Sequence, residues 1–172
     1  MNRLRAAAAL ALAVPVLLLA GAYLSEYLGL VPCEMCWWQR WAHFAAVPPA
    51  ALAVLGAFSP LRSRGDTMRV RRVAIPLTLL AACCILASGL IGGYHAGVEY
   101  GWWEGHTACT SNLQGGLSTA DMLDQIMRQP LVRCDQAQWT LLGVSLAGYN
   151  LLISAIAALA IARLALTGRT AA

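Results

Sequence analysis

Four stretches of this chain run for about a full membrane crossing without a charged side chain. A helix needs roughly 20 mostly apolar residues to cross the hydrocarbon core of a bilayer. Residues 6–24, 41–58, 73–94 and 141–162 contain no Asp, Glu, Lys or Arg. Within them only His43 titrates near neutrality. Pro15, Pro48, Pro49 and Pro76 fall inside the spans. Membrane helices tolerate proline where neighbouring groups satisfy the freed carbonyls. The expected fold is an all-α membrane protein, a bundle of four transmembrane helices. Composition agrees: of 172 residues, 59% are hydrophobic and 12% charged, against about a quarter charged in soluble domains. One domain over 1–172 is expected.

The charges give an orientation. All 12 basic residues are arginine. Arg3 and Arg5 precede the first span, five arginines lie in "LRSRGDTMRVRR" at 61–72, and Arg163 and Arg169 follow the last span. Seven acids occupy the other two connections: Glu26, Glu34, Glu99, Glu104, Asp121, Asp124 and Asp135. The positive-inside rule then puts both termini and residues 61–72 in the cytoplasm. Residues 25–40 and the long segment 95–140 face outward. Topology accounts for the net charge of +4, so no nucleic-acid partner is implied. The start "MNRLR", with an apolar run ending near "AGA", has some look of a signal peptide. Its run is longer than the usual 7 to 15 residues, so a retained first helix is expected.

Four of the six cysteines fall on the outward side: Cys33 and Cys36 in "PCEMCWWQR", then Cys109 and Cys134. An outward face is where disulfides persist. Cys83 and Cys84 lie inside the third span and read as small packing residues. Zinc would need four ligands. His43 lies in a span and His106 stands alone, so no metal is expected. Thiol–disulfide exchange suits the pattern better. Thiolates are favoured at helix N-termini and beside cations, and the second helix is expected to begin near Cys33, just after Pro32. Arg40 follows Cys36 by one helical turn, on the same face. Two readings stand for it: a partner for the thiolate, or an interfacial arginine reaching to headgroups. Two pairs on one face make a relay in which one pair meets a soluble thiol and the other a lipid-soluble acceptor. Trp37, Trp38, Tyr100, Trp102 and Trp103 fit an interfacial aromatic belt. "LSTADMLDQIMRQP" at 117–130 fits a short amphipathic helix, on the bilayer surface or on the protein.

These motifs carry a resemblance. "CEMCWWQR", "GGYHAGVE", "WWEGHTAC", "CDQAQW" and "LGVSLAGYN" occur in an order that resembles the disulfide bond formation protein B (DsbB) family of the bacterial inner membrane. The resemblance implies a four-helix bundle with cytoplasmic termini and a long periplasmic loop between helices 3 and 4. It implies oxidation of a periplasmic DsbA-like, thioredoxin-fold partner and reduction of quinone from the membrane pool, either ubiquinone or menaquinone. Cys109 would form the mixed disulfide with the partner. Cys134 would pass electrons to Cys33, and Cys36 would face the quinone. Arg40 would stabilise the Cys36 thiolate and the reduced quinone. His95 would bind the quinone or a neighbouring carbonyl. Two features depart from the pattern's needs: Glu34 between the cysteines should slightly oppose a thiolate, and Cys83 and Cys84 have no place in the relay. Competing readings are a paralogue serving a dedicated thiol partner, a vitamin K epoxide reductase-like enzyme, and a small transporter or structural membrane protein with incidental cysteines. The second usually carries its CxxC late in the chain, and the spans lack the charges a transporter would use.

Overall fold

The computed structural model of the protein describes residues 2–58, 67–105, 118 and 133–167. Cys109, His106 and, apart from Ser118, the short helix expected over 117–130 lie outside the described residues. Among the described residues four helices are seen: α1 (Asn2–Tyr27), α2 (Glu34–Phe58), α3 (Thr67–Glu99) and α4 (Leu146–Thr167). Each is long and apolar enough to cross a membrane, and the chain is a multi-pass membrane protein. Packing is closest for α2 with α3 and α3 with α4, and α1 closes the ring against α2 and α4.

The bundle is held by small residues. Ala7, Ala11, Ala46, Ala50, Ala81 and Ala158 meet at its centre with Ile85 and Ile161. In lipid, apolar side chains gain nothing by leaving their solvent, so helices associate through close contact of small residues. Large residues face outward instead: Leu17, Leu55, Ile156 and Leu159 are each about two-thirds exposed. The third-span cysteines divide on this basis. Cys84 packs on the central cluster, whereas Cys83 is exposed on the outer face of the bundle and is not the buried packing residue expected.

The helices outrun the uncharged stretches. α2 starts seven residues before Trp41, and α3 extends past Tyr94 to Glu99. Absence of charge marks the part of a helix that sits in hydrocarbon, and the helix itself continues to its cap. The ends of α1 and α3 carry matching caps. Gly29, at φ 97°, donates to Glu26 O while Leu30 N–H reaches Ser25 O. Gly101 and Trp102 repeat the pattern against Val98 and Gly97. This is the Schellman arrangement, which needs a left-handed residue that glycine adopts without strain.

The fourth helix begins later than expected from the apolar run at 141. Thr140–Leu141 and Val144–Ser145 form a two-stranded antiparallel hairpin, β1 and β2. Leu142 and Gly143 turn it with φ of 52° and 78°. Two consecutive positive φ values give a tight hairpin turn and interrupt a right-handed helix. Ser145 then caps α4, its Oγ accepting from Gly148 N–H at 3.2 Å.

Candidate functional site

Cys33 sits at the cap of α2. Its Sγ accepts from Cys36 N–H at 3.4 Å, and its carbonyl takes Trp37 N–H at 3.2 Å. The sulfur thus stands where a serine or aspartate oxygen usually caps a helix. Its S–H points back to Cys36 Sγ at 3.3 Å. That bond, and then burial, pushes the Cys33 thiol above its ordinary range. Cys36, in the first turn, receives this hydrogen bond at the positive end of the helix dipole. Cys33 is 4% exposed, while Cys36 is half-buried. Glu34, unexplained by the sequence, is the first residue of α2, where an acid favours the dipole.

His95 reaches this pair from α3. Its Nε2 lies 3.5 Å from Cys33 Sγ, and both sulfurs and that nitrogen fall within 4.8 Å of one another. A chain of amides fixes the imidazole. Asn150 Nδ2 donates to Ser88 O and Ser88 Oγ at 3.1 Å and to Gln39 Oε1 at 2.8 Å. Its Oδ1 accepts from His43 Nε2 and Ser154 Oγ, both at 3.0 Å. Gln39 Nε2 donates to Met35 O at 3.2 Å and meets His95 Nδ1 at 3.0 Å. Since Ser88 O and Met35 O only accept, both amides are oriented by backbone. His95 Nδ1 is therefore an acceptor and the hydrogen sits on Nε2, facing the sulfurs. The same tautomer bears on metal binding. Two sulfurs and a histidine make a three-ligand set, but with its hydrogen on Nε2 the ring offers no lone pair there.

Arg40 points to α1. Its NH1 pairs with Glu26 Oε1 at 2.6 Å, and its NH2 donates to Ala22 O at 3.2 Å. Its guanidinium lies 5.0 Å from the ring centroids of both Tyr23 and Trp37. With its side chain 7% exposed, this arginine is paired inside the protein and does not reach for headgroups.

These groups border one cavity of about 290 Å³. Cys33, Cys36, Arg40, His43, His95, Glu99 and Asn150 line it, with apolar walls from Leu17, Leu18, Ala147 and Ile153. Two buried acceptors in this wall, His43 Nδ1 and Glu99 Oε2, have no hydrogen-bond partner. Glu99 Oε1 stands 3.7 Å from His95 Nε2.

Cys134 joins the same place. It is 4% exposed, disulfide-bonded, and packs in one cluster with Cys33, Met35 and Val98, with Cys36 beside it. Gln138 holds this segment to the α1–α2 connection: its Oε1 takes Val31 N–H at 3.0 Å and its Nε2 donates to Val31 O at 2.6 Å. Nearby Arg133 and Asp135 form an exposed pair at 2.6 Å, which lowers the acid's pKa and raises the arginine's.

Of the expected site residues, Cys33, Cys36, Arg40 and His95 come together around the cavity, and Cys134 packs behind it on Cys33; Cys109 lies outside the described residues. Glu26, Gln39, His43, Ser88, Glu99 and Asn150 belong to the site without having been singled out as site residues. Gln39 stood in the motif, between Cys36 and Arg40. His43 lies one turn after Arg40, Glu99 one turn after His95 and Asn150 at the end of the motif opening the fourth span, but Glu26 and Ser88 lie far in sequence from the residues they hold, where no local spacing marks them. Trp103, expected in the aromatic belt, stacks on Tyr94 at 6.0 Å and donates to Tyr94 O at 2.9 Å. Trp102 is 69% exposed, as a belt residue would be.

The chain also has recognisable relatives. A protein from Azoarcus sp. (strain BH72), named disulfide bond formation protein B, is 32% identical over 152 residues, covering 83% of this chain and 80% of that protein. One of the same name from Aromatoleum aromaticum is 33% identical over 154 residues, covering 83% and 82%. An uncharacterised Rickettsia prowazekii protein is 24% identical over 144 residues, covering 82% and 76%. No solved structure matches. The family described as disulfide bond formation protein DsbB matches residues 3–164. The chain therefore belongs to the DsbB family, and its role lies in disulfide bond formation, as a disulfide oxidoreductase.

Proposed function

We propose that this protein passes electrons from a soluble DsbA-like dithiol through Cys109 and Cys134, then Cys33 and Cys36, to a quinone in the membrane. The site then faces the periplasm of a bacterial inner membrane, the side the arginine distribution leaves outward. One observation carries the reading: buried Cys134 packs against the Cys33–Cys36 pair, and that pair opens on a cavity with apolar walls.

Each exchange is thiolate attack on a disulfide. The partner's thiolate attacks Cys109 and frees Cys134. Cys134 then attacks Cys33, its neighbour in the cluster, and Cys36 leaves. The partner's second thiolate displaces Cys109 from the mixed disulfide, and Cys109 attacks Cys134 to re-form their disulfide and free Cys33. The helix N-terminus makes Cys36 the better leaving group. Gln138 keeps the Cys134 segment near Cys33, and Gln39 holds the His95 N–H toward the sulfurs.

Quinone fits the cavity's chemistry: a flat apolar ring for the walls, and oxygens that alternate between carbonyl and hydroxyl. When bound, it supplies the two-electron acceptor. Arg40 supplies positive charge to the site, oriented by Glu26. His43 Nδ1 and Glu99 Oε2 are acceptors suited to hydroxyl groups. DsbA is a strong oxidant at about −120 mV, so its acceptor must be more oxidising still.

Purified protein supplied with quinone and a reduced thioredoxin-fold partner should reduce the quinone. Alanine at Cys33, Cys36, Cys109 or Cys134 should abolish this. Arg40→Ala should raise the apparent KM for quinone. Full activity with the protein partner after Cys109→Ala and Cys134→Ala would sink the relay.

A further inference from the structure

Oxidising two thiols with a quinone moves two electrons and two protons. The electrons have a path, but the second proton has no evident holder. Cys33 carries one proton, directed at Cys36 Sγ. Cys36, the receiver of that bond at a helix N-terminus, is the sulfur that sheds its own. His95 is not available to hold it, because its Nε2 already bears a hydrogen and its Nδ1 accepts from Gln39.

Glu99 remains. It closes α3 one turn after His95, with its side chain 7% exposed. Oε1 lies 3.7 Å from His95 Nε2. Oε2 is buried without a hydrogen-bond partner, on the cavity that both sulfurs line. The groups facing it are His95 on its own helix, Cys36 from α2 and Ser145 from β2, with Arg40 and Arg133 elsewhere on the cavity wall. A carboxylate and a thiolate on the wall of one cavity repel each other, and an unpartnered buried carboxylate oxygen is costly. A single proton on the carboxyl relieves both.

We propose that Glu99 stores the second proton of the reduced pair. This rests on the thiol-to-quinone reading above. When the Cys33–Cys36 disulfide is reduced, the S–S bond breaks and two electrons enter. One proton stays on Cys33 and the other goes to Glu99, leaving Cys36 a thiolate. When the pair is oxidised, the S–S bond re-forms and the electron pair passes to the quinone. The Cys33 proton and the Glu99 proton follow it across the cavity, giving quinol and a Glu99 carboxylate.

The test needs no quinone. Quinone-depleted protein is reduced with dithiothreitol, and its reduced-minus-oxidised infrared spectrum is recorded. A carboxylic-acid C=O band should appear in the wild type, vanish in Glu99→Gln and move in Glu99→Asp. With quinone restored, Glu99→Gln should slow turnover by about a hundredfold, the scale of general acid–base catalysis, with dithiothreitol still reducing the pair. A wild type lacking the band, or a band unchanged in Glu99→Gln, overturns the proposal. If Glu99→Gln does not fold, Glu99→Asp decides alone: an unmoved band rejects the assignment. Failure of the parent reading looks different, because the wild type itself would then reduce no quinone.

Discussion

The Cys33 sulfur caps α2 and, in the proposed function, forms half of the redox pair, and the two tasks separate by substitution. Cys33→Ser keeps an oxygen to accept Cys36 N–H, so thermal stability of the reduced protein should stay near wild type while electron transfer is lost. Cys33→Ala loses the cap as well and should cost about 1 kcal/mol more. Equal melting of the two variants would remove the capping role. Cys33, Cys36, Pro32 and Arg40 were legible in sequence because they lie within about two turns at the head of one helix. The partners of Arg40 and His95 were not: Glu26 lies 14 residues from Arg40 and Gln39 lies 56 from His95. Only the packing of the helices makes them neighbours. Asn150, 111 residues from Gln39, reads in sequence as one polar residue in an apolar run.

Elements are joined at two points that bear on the site. Where α3 crosses α4, a Cβ on Gly92 would lie 2.8 Å from Ala147 O, 3.1 Å from Asn150 Nδ2 and 3.2 Å from Gln39 Oε1. Gly92→Ala should therefore destabilise by about 1–3 kcal/mol and disturb the amide chain that orients His95, seen as lower thermal stability with slower quinone reduction. Wild-type values for both would mean that the crossing is looser than described. The second joint is Gln138 on Val31. Gln138→Ala should slow exchange between Cys134 and Cys33 while leaving direct reduction of the Cys33–Cys36 pair by a small dithiol unchanged, in stopped-flow measurements. Apolar runs located the four helices, but they misplaced the start of α4. The run from Leu141 is continuous in hydropathy, and only the positive φ at Leu142 and Gly143 breaks it.

At the scale of the whole molecule, the protein in its proposed function separates two solvents for one reaction. The small-residue core lets the four described helices approach closely, and Gln138, bonded to the α1–α2 connection, holds the Cys134 segment at the head of α2. In that proposed function, a soluble thiol and a lipid-soluble acceptor exchange electrons through this protein without meeting. That claim is tested most directly by comparing two electron donors in one variant. Cys134→Ser protein, with quinone, is given either a reduced thioredoxin-fold partner or dithiothreitol, and quinone reduction is followed. The account predicts turnover with dithiothreitol, which reaches Cys33–Cys36 directly, and none with the protein partner. Equal rates with both donors would contradict it.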